Sequence, residues 1–191
     1  MKKFKMIIAA VAIAAFGTNA SAQYWGESEV TNYVYAGYTS MRADGITLPG
    51  VHLGIGDLNQ INMGNFFWDY NVDVTYNWKS ENGIKTKFWS GKIALDMLYK
   101  IDASENAFVF PFLGIASRDY LYGKTKNNPL YGDVNWFSKD GLDGNRYQVC
   151  LQAGVHAFIG NIMLRAEYQY SLTKLVGARI KGLSFSIGYR F

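Results

Sequence analysis

The amino-acid sequence predicts an all-β fold, a closed antiparallel up-and-down transmembrane β-barrel of eight strands, with ten strands as the alternative count. Three features predict it: an export signal at the N-terminus, a series of segments in which apolar and polar residues alternate, and a final segment that ends on an aromatic residue. Alternation with a period of two places successive side chains on opposite faces of a strand. After residue 22 no apolar run approaches the ~20 residues that a transmembrane helix needs.

The N-terminus has the three parts of a secretory signal peptide. Three lysines within residues 2–5 form a basic region, residues 6–16 form an apolar region of 11 residues, and residues 20–22 read Ala-Ser-Ala. Small residues in this pattern are accepted by signal peptidase. We therefore predict that residues 1–22 are a cleaved signal peptide and that residues 23–191 form one barrel domain.

Net charge and cysteine content exclude some classes of protein. The full chain carries a formal net charge of +4, but residues 1–22 contain three lysines and no acidic residue, which leaves 16 basic against 15 acidic residues, or +1. This balance lacks the basic surplus typical of nucleic-acid-binding domains, so we expect no nucleic-acid partner. Cys150 is the single cysteine, so the fold must be stable without an intramolecular disulfide.

Eight segments carry a strand signal. The clearest covers residues 66–79, where apolar side chains occupy the even-numbered positions and, Phe67 aside, polar side chains occupy the odd-numbered ones. The stretch 118–145 is the longest connection, and we expect it to be an external loop because external loops of bacterial barrels are longer than periplasmic turns. A ten-stranded barrel would need another hairpin near residues 130–137. The predicted strands lie near residues 30–40, 50–57, 66–79, 89–100, 107–117, 146–158, 162–172 and 182–191.

Aromatic residues recur at a fixed spacing in two neighbouring strands. Trp68 and Trp78 are ten residues apart, as are Trp89 and Tyr99. Ten residues span about 33 Å along a strand, or about 25 Å along the membrane normal at a tilt of ~40°. That is the usual height of the apolar band between two aromatic girdles, so these four residues are the predicted girdle positions.

The last nine residues form the most regular strand of the chain. Polar or small residues alternate there with five apolar ones, which are Leu183, Phe185, Ile187, Tyr189 and Phe191. This pattern resembles the C-terminal assembly signal of outer-membrane β-barrel proteins, in which the last strand ends in an aromatic residue. The resemblance implies recognition by the barrel assembly machinery and a location in the outer membrane of a Gram-negative bacterium. It also implies that outer-membrane lipid and lipopolysaccharide are partners.

The export signal, the alternating strands and the last strand together make the whole chain resemble a known class of protein. The chain resembles the small outer-membrane barrels of the OmpA and OmpX type and, more loosely, the porin-family proteins common in Bacteroidetes. The resemblance covers residues 23–191 and implies their fold and location. It implies an activity only weakly, because function depends on the sites that a fold carries.

The residues opposite the apolar rows are predicted to face the barrel lumen. The interior of an eight-stranded barrel is just wide enough for side chains to fill, so we expect no continuous pore. Both charge signs are present, and we expect an ion-pair network across the lumen. Its predicted members are Asp69, Asp73, Lys92, Asp96, Lys100, Arg165, Glu167 and Arg190.

The sequence predicts no catalytic, cofactor-binding or metal-binding residues, and hence no enzyme. His156 is followed by Ala157-Phe158 and lacks the His-x-Ser arrangement of lipid A deacylases, and His52 is interpreted as a hydrogen-bonding lumen residue. Cys150 is predicted to pack in the lumen. No histidine, cysteine and carboxylate spacing fits a metal site, and no phosphate-binding glycine loop occurs.

The aromatic part of the stretch 118–145 is the candidate recognition site, because loops on rigid scaffolds often carry binding. We predict a structural or surface-interaction protein that acts through its external loops. Narrow porin-like transport of a small or hydrophobic solute, a lipid A-modifying enzyme and a soluble ligand-binding barrel are the alternatives. The candidate loop residues are Tyr120, Tyr122, Tyr131, Trp136 and Phe137.

Overall fold

The computed structural model describes residues 30–43, 45–61, 64–137, 146–175 and 177–191. The predicted signal peptide lies outside these ranges. No helix in the described part of the chain is long and apolar enough to cross a membrane. Its strands are β1 (Val30–Ala43), β2 (Ile46–Gln60), β3 (Phe66–Glu81), β4 (Ile84–Tyr99), β5 (Ile101–Ser104), β6 (Ala107–Asn128), β7 (Gly132–Asn135), β8 (Tyr147–Ile159), β9 (Ile162–Leu175) and β10 (Ala178–Arg190).

Eight of these strands close into a ring. The ring order is β1, β2, β3, β4, β6, β8, β9 and β10, and every neighbouring pair is antiparallel. The ring closes where β1 pairs with β10 in one unbroken register from Tyr33↔Arg190 to Ala43↔Ile180. The eight-stranded closed antiparallel barrel that the sequence predicts is thus confirmed. Closure pairs the backbone amides of the first and last strands, which an open sheet would leave exposed at its edges.

The remaining strands lie outside the ring. β5 pairs only with the start of β6, and β7 pairs only with its end, through Lys124↔Asn135 and Thr125↔Val134. The additional hairpin considered near residues 130–137 therefore exists. It projects beyond the barrel and does not widen the ring to ten strands.

The predicted external loop begins too early. β6 continues to Asn128, so residues 118–128 are strand and were wrongly read as loop. Alternation persists past Ser117, because Arg118 and Tyr120 are both buried on the inward face, and its phase reverses only beyond Leu121, where Tyr122 is exposed. A bulge at Leu121 interrupts the register between Trp89↔Tyr122 and Ser90↔Tyr120. The abundance of Gly, Asn, Lys and Tyr in this segment concealed the strand. Residues 138–145 of the predicted loop lie outside the described ranges.

The two ends of the barrel differ in shape. At the terminal end, where β1 begins and β10 finishes, β5 adds a short flap. At the extended end, β6 and β7 project, while β1–β2, β3–β4 and β9–β10 are joined by only two residues each. In the β3–β4 turn, Asn82 and Gly83 have φ values of 50° and 80°. Asn-Gly with positive φ at both positions is typical of a type I′ hairpin.

The barrel is apolar outside and largely polar inside. The four residues of the predicted assembly signal that lie in β10 point outward, and all five, including Phe191 just beyond the strand, are exposed. The outward rows of β4, β6, β8 and β9 are also largely apolar. Asp, Asn, Lys, Arg and Gln side chains are buried on the inward rows. This inversion of the usual soluble arrangement is typical of a barrel surrounded by lipid.

Apolar layers cover the polar centre of the lumen at both ends, which the sequence analysis did not predict. At the terminal end the layer consists of Tyr33, Tyr35, Leu58, Phe67, Leu98, Phe110, Phe112, Phe158 and Met163. At the extended end it consists of Met41, Leu48, Phe88, Tyr120, Phe137, Leu175 and Ile180. The charged network therefore lies between two apolar layers, which separate it from the solvent at either end.

A closed barrel should resist detergent. We expect the purified full chain, folded in detergent micelles, to migrate faster on a dodecyl sulfate gel when it is unboiled than when it is boiled, because the closed ring stays compact until heat opens it. The measurement compares the two lanes for the same sample. Identical migration of folded and boiled protein would contradict ring closure.

Candidate functional site

The centre of the lumen is organised around one arginine. Asp69 of β3 and Asp96 of β4 are buried and directly opposite each other in their ladder, an arrangement in which like charges repel. Arg165 of β9 reaches them from the far side of the ring. Its guanidinium nitrogens lie 3.4 Å from Asp69 Oδ2, 3.2 Å from Asp96 Oδ2 and 2.5 Å from Glu167 Oε2. One guanidinium thus contacts carboxylates from three strands.

A lysine continues this network toward the extended end. Lys92 Nζ lies 3.0 Å from Asp73 Oδ2 and 2.8 Å from Glu167 Oε1. Glu167 therefore contacts both Lys92 and Arg165 and joins the two groups. The predicted members that the structure brings into one chain of contacts are Asp69, Asp73, Lys92, Asp96, Arg165 and Glu167.

The other two predicted members, Lys100 and Arg190, lie outside this network. Lys100 follows the end of β4, pairs with Asp102 at 3.6 Å and lies over the ring of Phe108 at 4.4 Å. Arg190 lies over the rings of Phe108 and Phe158, at 5.9 and 5.7 Å. Both residues have the predicted inward parity, but they lie at the terminal end, near the apolar layer there and away from the central carboxylates.

A third buried cation, Arg118, was not among the predicted lumen residues. Arg118 of β6 donates hydrogen bonds to Ser90 Oγ at 2.8 Å, Thr75 Oγ1 at 3.3 Å and Gln169 Oε1 at 3.0 Å. It was placed in the external loop because the predicted strand ended at Ser117. The continued alternation of Arg118 with its neighbours was the signal that could have placed it in the lumen.

Two tyrosines reach the network by lying over glycines. Tyr33 of β1 donates a hydrogen bond to Asp69 Oδ1 of β3 at 2.7 Å and must cross β2 to do so. The residue opposite Tyr33 on β2 is Gly56, and a Cβ there would lie 2.2 Å from the Tyr33 ring. Tyr35 lies over Gly54 in the same way, with 2.4 Å from such a Cβ to its ring. The Gly-x-Gly segment of β2 therefore makes room for the tyrosine rings.

His52 is a hydrogen-bonding lumen residue in the structure. Its Nε2 lies 2.7 Å from Ser186 Oγ, although β1 separates the two strands. Gly37 of β1 pairs with both residues, and a Cβ at Gly37 would lie 2.9 Å from His52 Cε1. The imidazole thus passes over a glycine, as the tyrosines do.

His156 occupies the boundary between the polar centre and the terminal apolar layer. It is fully buried, with Nε2 at 3.8 Å from Asp69 Oδ2. Its ring packs edge-on against Tyr33 and Phe112. These contacts are those of a packed core residue.

Little free space remains in the centre of the lumen. A polar cavity of about 10 Å³ lies among His52, Ser186, Lys92, Arg165 and other lumen residues. That volume is close to the minimum for one water molecule. Within the described ranges, no group of three His, Cys, Asp or Glu side chains is arranged to hold a metal ion. Cys150 packs in the lumen against Ala94 and Ala116.

The four predicted girdle residues all point outward. Trp68 and Tyr99 lie near the terminal end, and Trp78 and Trp89 lie near the extended end. Tyr76 packs against both of the latter, with ring centroids 5.4 Å from Trp78 and 4.7 Å from Trp89. The two aromatic levels are thus separated along the barrel wall as the sequence spacing requires.

The five candidate loop residues divide into three groups by exposure. Tyr120 and Phe137 are buried in the apolar layer at the extended end, so the expectation that they are exposed loop anchors is corrected. Trp136 is half-buried and donates from Nε1 to Thr125 Oγ1 at 2.9 Å. Only Tyr122 and Tyr131 are exposed on the surface.

Arg165 is the residue on which the network depends most. We expect Arg165→Ala to lower the free energy of unfolding by about 3–5 kcal/mol, because it leaves buried carboxylates without their shared cation. The measurement is the urea midpoint of the barrel in lipid vesicles. Arg190→Ala is the matched control and should cost about 1–2 kcal/mol, because Arg190 makes two ring contacts. Equal midpoints for Arg165→Ala and the wild type would refute the central role.

The glycine beneath Tyr33 offers a second test. We expect Gly56→Ala to destabilise the barrel by about 1–3 kcal/mol, since the new methyl group overlaps the Tyr33 ring. Gly91→Ala is the control, because its nearest contact would be 3.9 Å away. Urea midpoints again decide. A Gly56→Ala midpoint equal to that of Gly91→Ala would contradict the close approach of Tyr33.

Known proteins that resemble this chain do so in their fold. No protein-family model matches the sequence, and no curated protein sequence matches it. Several solved structures resemble it. Neisserial surface protein A is 15% identical with a TM-score of 0.57, covering 86% of this chain and 99% of that one. Ail, the attachment invasion locus protein of Yersinia pestis, is 17% identical with a TM-score of 0.53, covering 85% and 99%.

The third structure is a major outer membrane protein from Thermus thermophilus. It is 14% identical with a TM-score of 0.50, covering 85% of this chain and 100% of that one. At such identities the likeness concerns the fold. The chain therefore has the fold of the small eight-stranded outer-membrane β-barrels, as its sequence predicts.

Proposed function

We propose that this protein is a non-conducting outer-membrane barrel that serves as a rigid scaffold and presents its extended end to the exterior as an interaction surface. The observation that carries the proposal is the filled lumen. Side chains from opposite walls meet in the central ion-pair network, and an apolar layer covers the network at each end. An ion or solute would have to displace both layers and separate buried ion pairs.

The outward surface supports insertion in a membrane. Exposed aliphatic side chains such as Leu53, Leu113, Ile115 and Ile187 form a band around the wall. Aromatic residues border this band at both levels, where their amphipathic rings are favoured at a membrane–water interface. A soluble barrel would leave this apolar surface in water, so the soluble alternative is disfavoured.

The projection of β6 and β7 supports the orientation. The longest connections of bacterial barrels lie outside the cell, and the longest connection of this chain lies at the extended end. We therefore place the extended end outside and the terminal end in the periplasm. In this orientation Tyr122 and Tyr131, the two exposed residues of the predicted recognition site, lie on the exterior.

The tip of the projection has the features of an interaction surface. Leu130 and Tyr131 are 80% and 72% exposed in the turn between β6 and β7. Their backbone N–H groups donate to Asn128 Oδ1 at 2.9 and 3.2 Å, which fixes the turn. Exposed apolar side chains on an ordered turn lose little entropy on binding.

We propose no catalytic role for the His52–Ser186 pair. A histidine base beside a serine hydroxyl has the residue types of nucleophilic catalysis. Here both residues are buried, each with 7% of its surface exposed, and they border a cavity of about 10 Å³. A lipid substrate would not reach the serine. The pair instead links β2 to β10 across β1.

Conductance tests the proposal directly. We expect planar-bilayer recordings of the folded full chain to show no stable channel steps, because the lumen is filled. Flotation of the same preparation with lipid vesicles establishes that the protein has inserted. Reproducible single-channel steps from inserted protein would favour the narrow transport alternative and overturn the non-conducting assignment.

A further inference from the structure

Four lysines form a compact patch on the outward face of the wall at the extended end. We define the lysine patch as Lys85 and Lys87 of β4 with Lys124 and Lys126 of β6. In the β4–β6 ladder Lys85 is directly opposite Lys126, and Lys87 is directly opposite Lys124. The four side chains line an open groove of about 560 Å³ together with Tyr122 and Asn127. The groove opens sideways from the barrel wall.

The charges of this patch are poorly compensated within the protein. Directly opposite like charges in an antiparallel pair are destabilising. Lys124 pairs with Asp133 of β7 at 3.0 Å, and this contact lowers the pKa of the exposed Asp133 carboxyl. Among the described residues, Lys85, Lys87 and Lys126 have no acidic side chain within ion-pair distance. Three of the four ammonium groups are therefore available to an external anion.

The patch adjoins the aromatic level near the extended end. Trp89 is directly opposite Tyr122 in the same ladder, and Trp78 is directly opposite Lys87. Lys87 lies two residues beyond Trp89 along β4, which is about 7 Å along the strand or about 5 Å along the membrane normal. Because aromatic girdles mark the level of the membrane interface, the lysines lie at the height of the lipid headgroups.

Basic residues also occupy the same level on the opposite side of the ring. Arg42 of β1 is directly opposite Lys181 of β10, and Arg179 of β10 is directly opposite Lys174 of β9. All four are exposed. Pairs of directly opposite basic residues therefore occur on two sides of the extended end. Their mutual repulsion is reduced if an anionic layer surrounds the barrel at this level.

We propose that the lysine patch binds the phosphate groups of the lipopolysaccharide that forms the outer leaflet. The position of the groove favours this ligand over a soluble polyanion. The groove lies on the outward face of the wall, toward neighbouring lipid, and borders the aromatic residues Trp89 and Tyr122. Lys85, Lys87 and Lys126 contact the phosphates, and Tyr122 and Trp89 pack against the adjoining sugar and acyl portions. The assignment goes beyond the scaffold role and concerns a surface that conductance does not probe.

Native mass spectrometry of the folded full chain in neutral detergent tests the site. The barrel is titrated with lipid A, the phosphorylated anchor of lipopolysaccharide, and separately with the same glycolipid after removal of its phosphates. A basic residue near an anionic surface contributes about a five-fold factor in affinity. We therefore expect K85Q/K87Q/K126Q, which retains the Lys124–Asp133 pair, to bind lipid A about 100-fold more weakly than the wild type.

Matched variants separate charge from fold. K85R/K87R/K126R keeps the charge and should retain binding, whereas heat-modifiable migration verifies that each variant is folded. If the triple glutamine variant does not fold, K85Q/K126Q takes its place with an expected loss of about 25-fold. Equal affinity of the folded glutamine variant and the wild type for lipid A would overturn the proposal.

Two further results would also overturn the proposal. One is equal binding of the phosphorylated and dephosphorylated glycolipids, which would remove phosphate as the recognised group. The other is displacement of lipid A by an equimolar amount of inorganic phosphate or of a soluble sulfated polysaccharide, which would identify a soluble anion as the ligand. Retained lipid A in both competitions supports the lipid assignment.

Discussion

Two carboxylates, Asp69 and Asp96, face each other inside the barrel, and the arrangement of the lumen follows from how their repulsion is relieved. The positive charge that compensates these two carboxylates comes from the far side of the ring, through Arg165 of β9. Glu167 and Lys92 then extend the contacts toward the extended end. Because buried ion pairs add little net stability but leave a costly charge when one partner is lost, this network determines how the walls are positioned more than how tightly they hold.

The space that the network needs is supplied by small residues. Glycines on β1 and β2 lie beneath the rings of Tyr33, Tyr35 and His52, which therefore extend past their neighbouring strands. On the other side of the lumen Cys150 packs with two alanines. The eight-stranded ring is too narrow for large side chains at every inward position. Large and small inward residues consequently complement one another across the lumen, and the central cavity of about 10 Å³ is barely large enough for one water molecule.

Much of this architecture follows from period-two alternation alone. It predicted the outward apolar rows and the inward charged residues, since each depends only on parity within a strand, and together with the export signal and the last strand it predicted the closed ring. Parity does not give the position of a residue along the barrel axis or its neighbours on other strands. Both depend on how strands that are distant in the sequence are aligned with one another. Lys100 and Arg190 were therefore assigned to the correct face, but the contacts that the structure gives them lie near the terminal end and not in the central network. Tyr120 was assigned to a loop because a bulge and a loop-like composition hid the end of β6.

A barrel with a filled lumen and mostly two-residue connections at one end has few places for recognition. The interior is occupied, and three of the four turns at the extended end are too short to form a surface of their own. What remains is the projecting hairpin and the outer face of the wall. The bulge at Leu121 restores the outward direction of Tyr122, Lys124 and Lys126 after the inward Arg118 and Tyr120, so that lysines of β4 and β6 meet on one face. The same irregularity that obscured β6 in the sequence therefore creates the basic surface on which the proposed lipid contact depends.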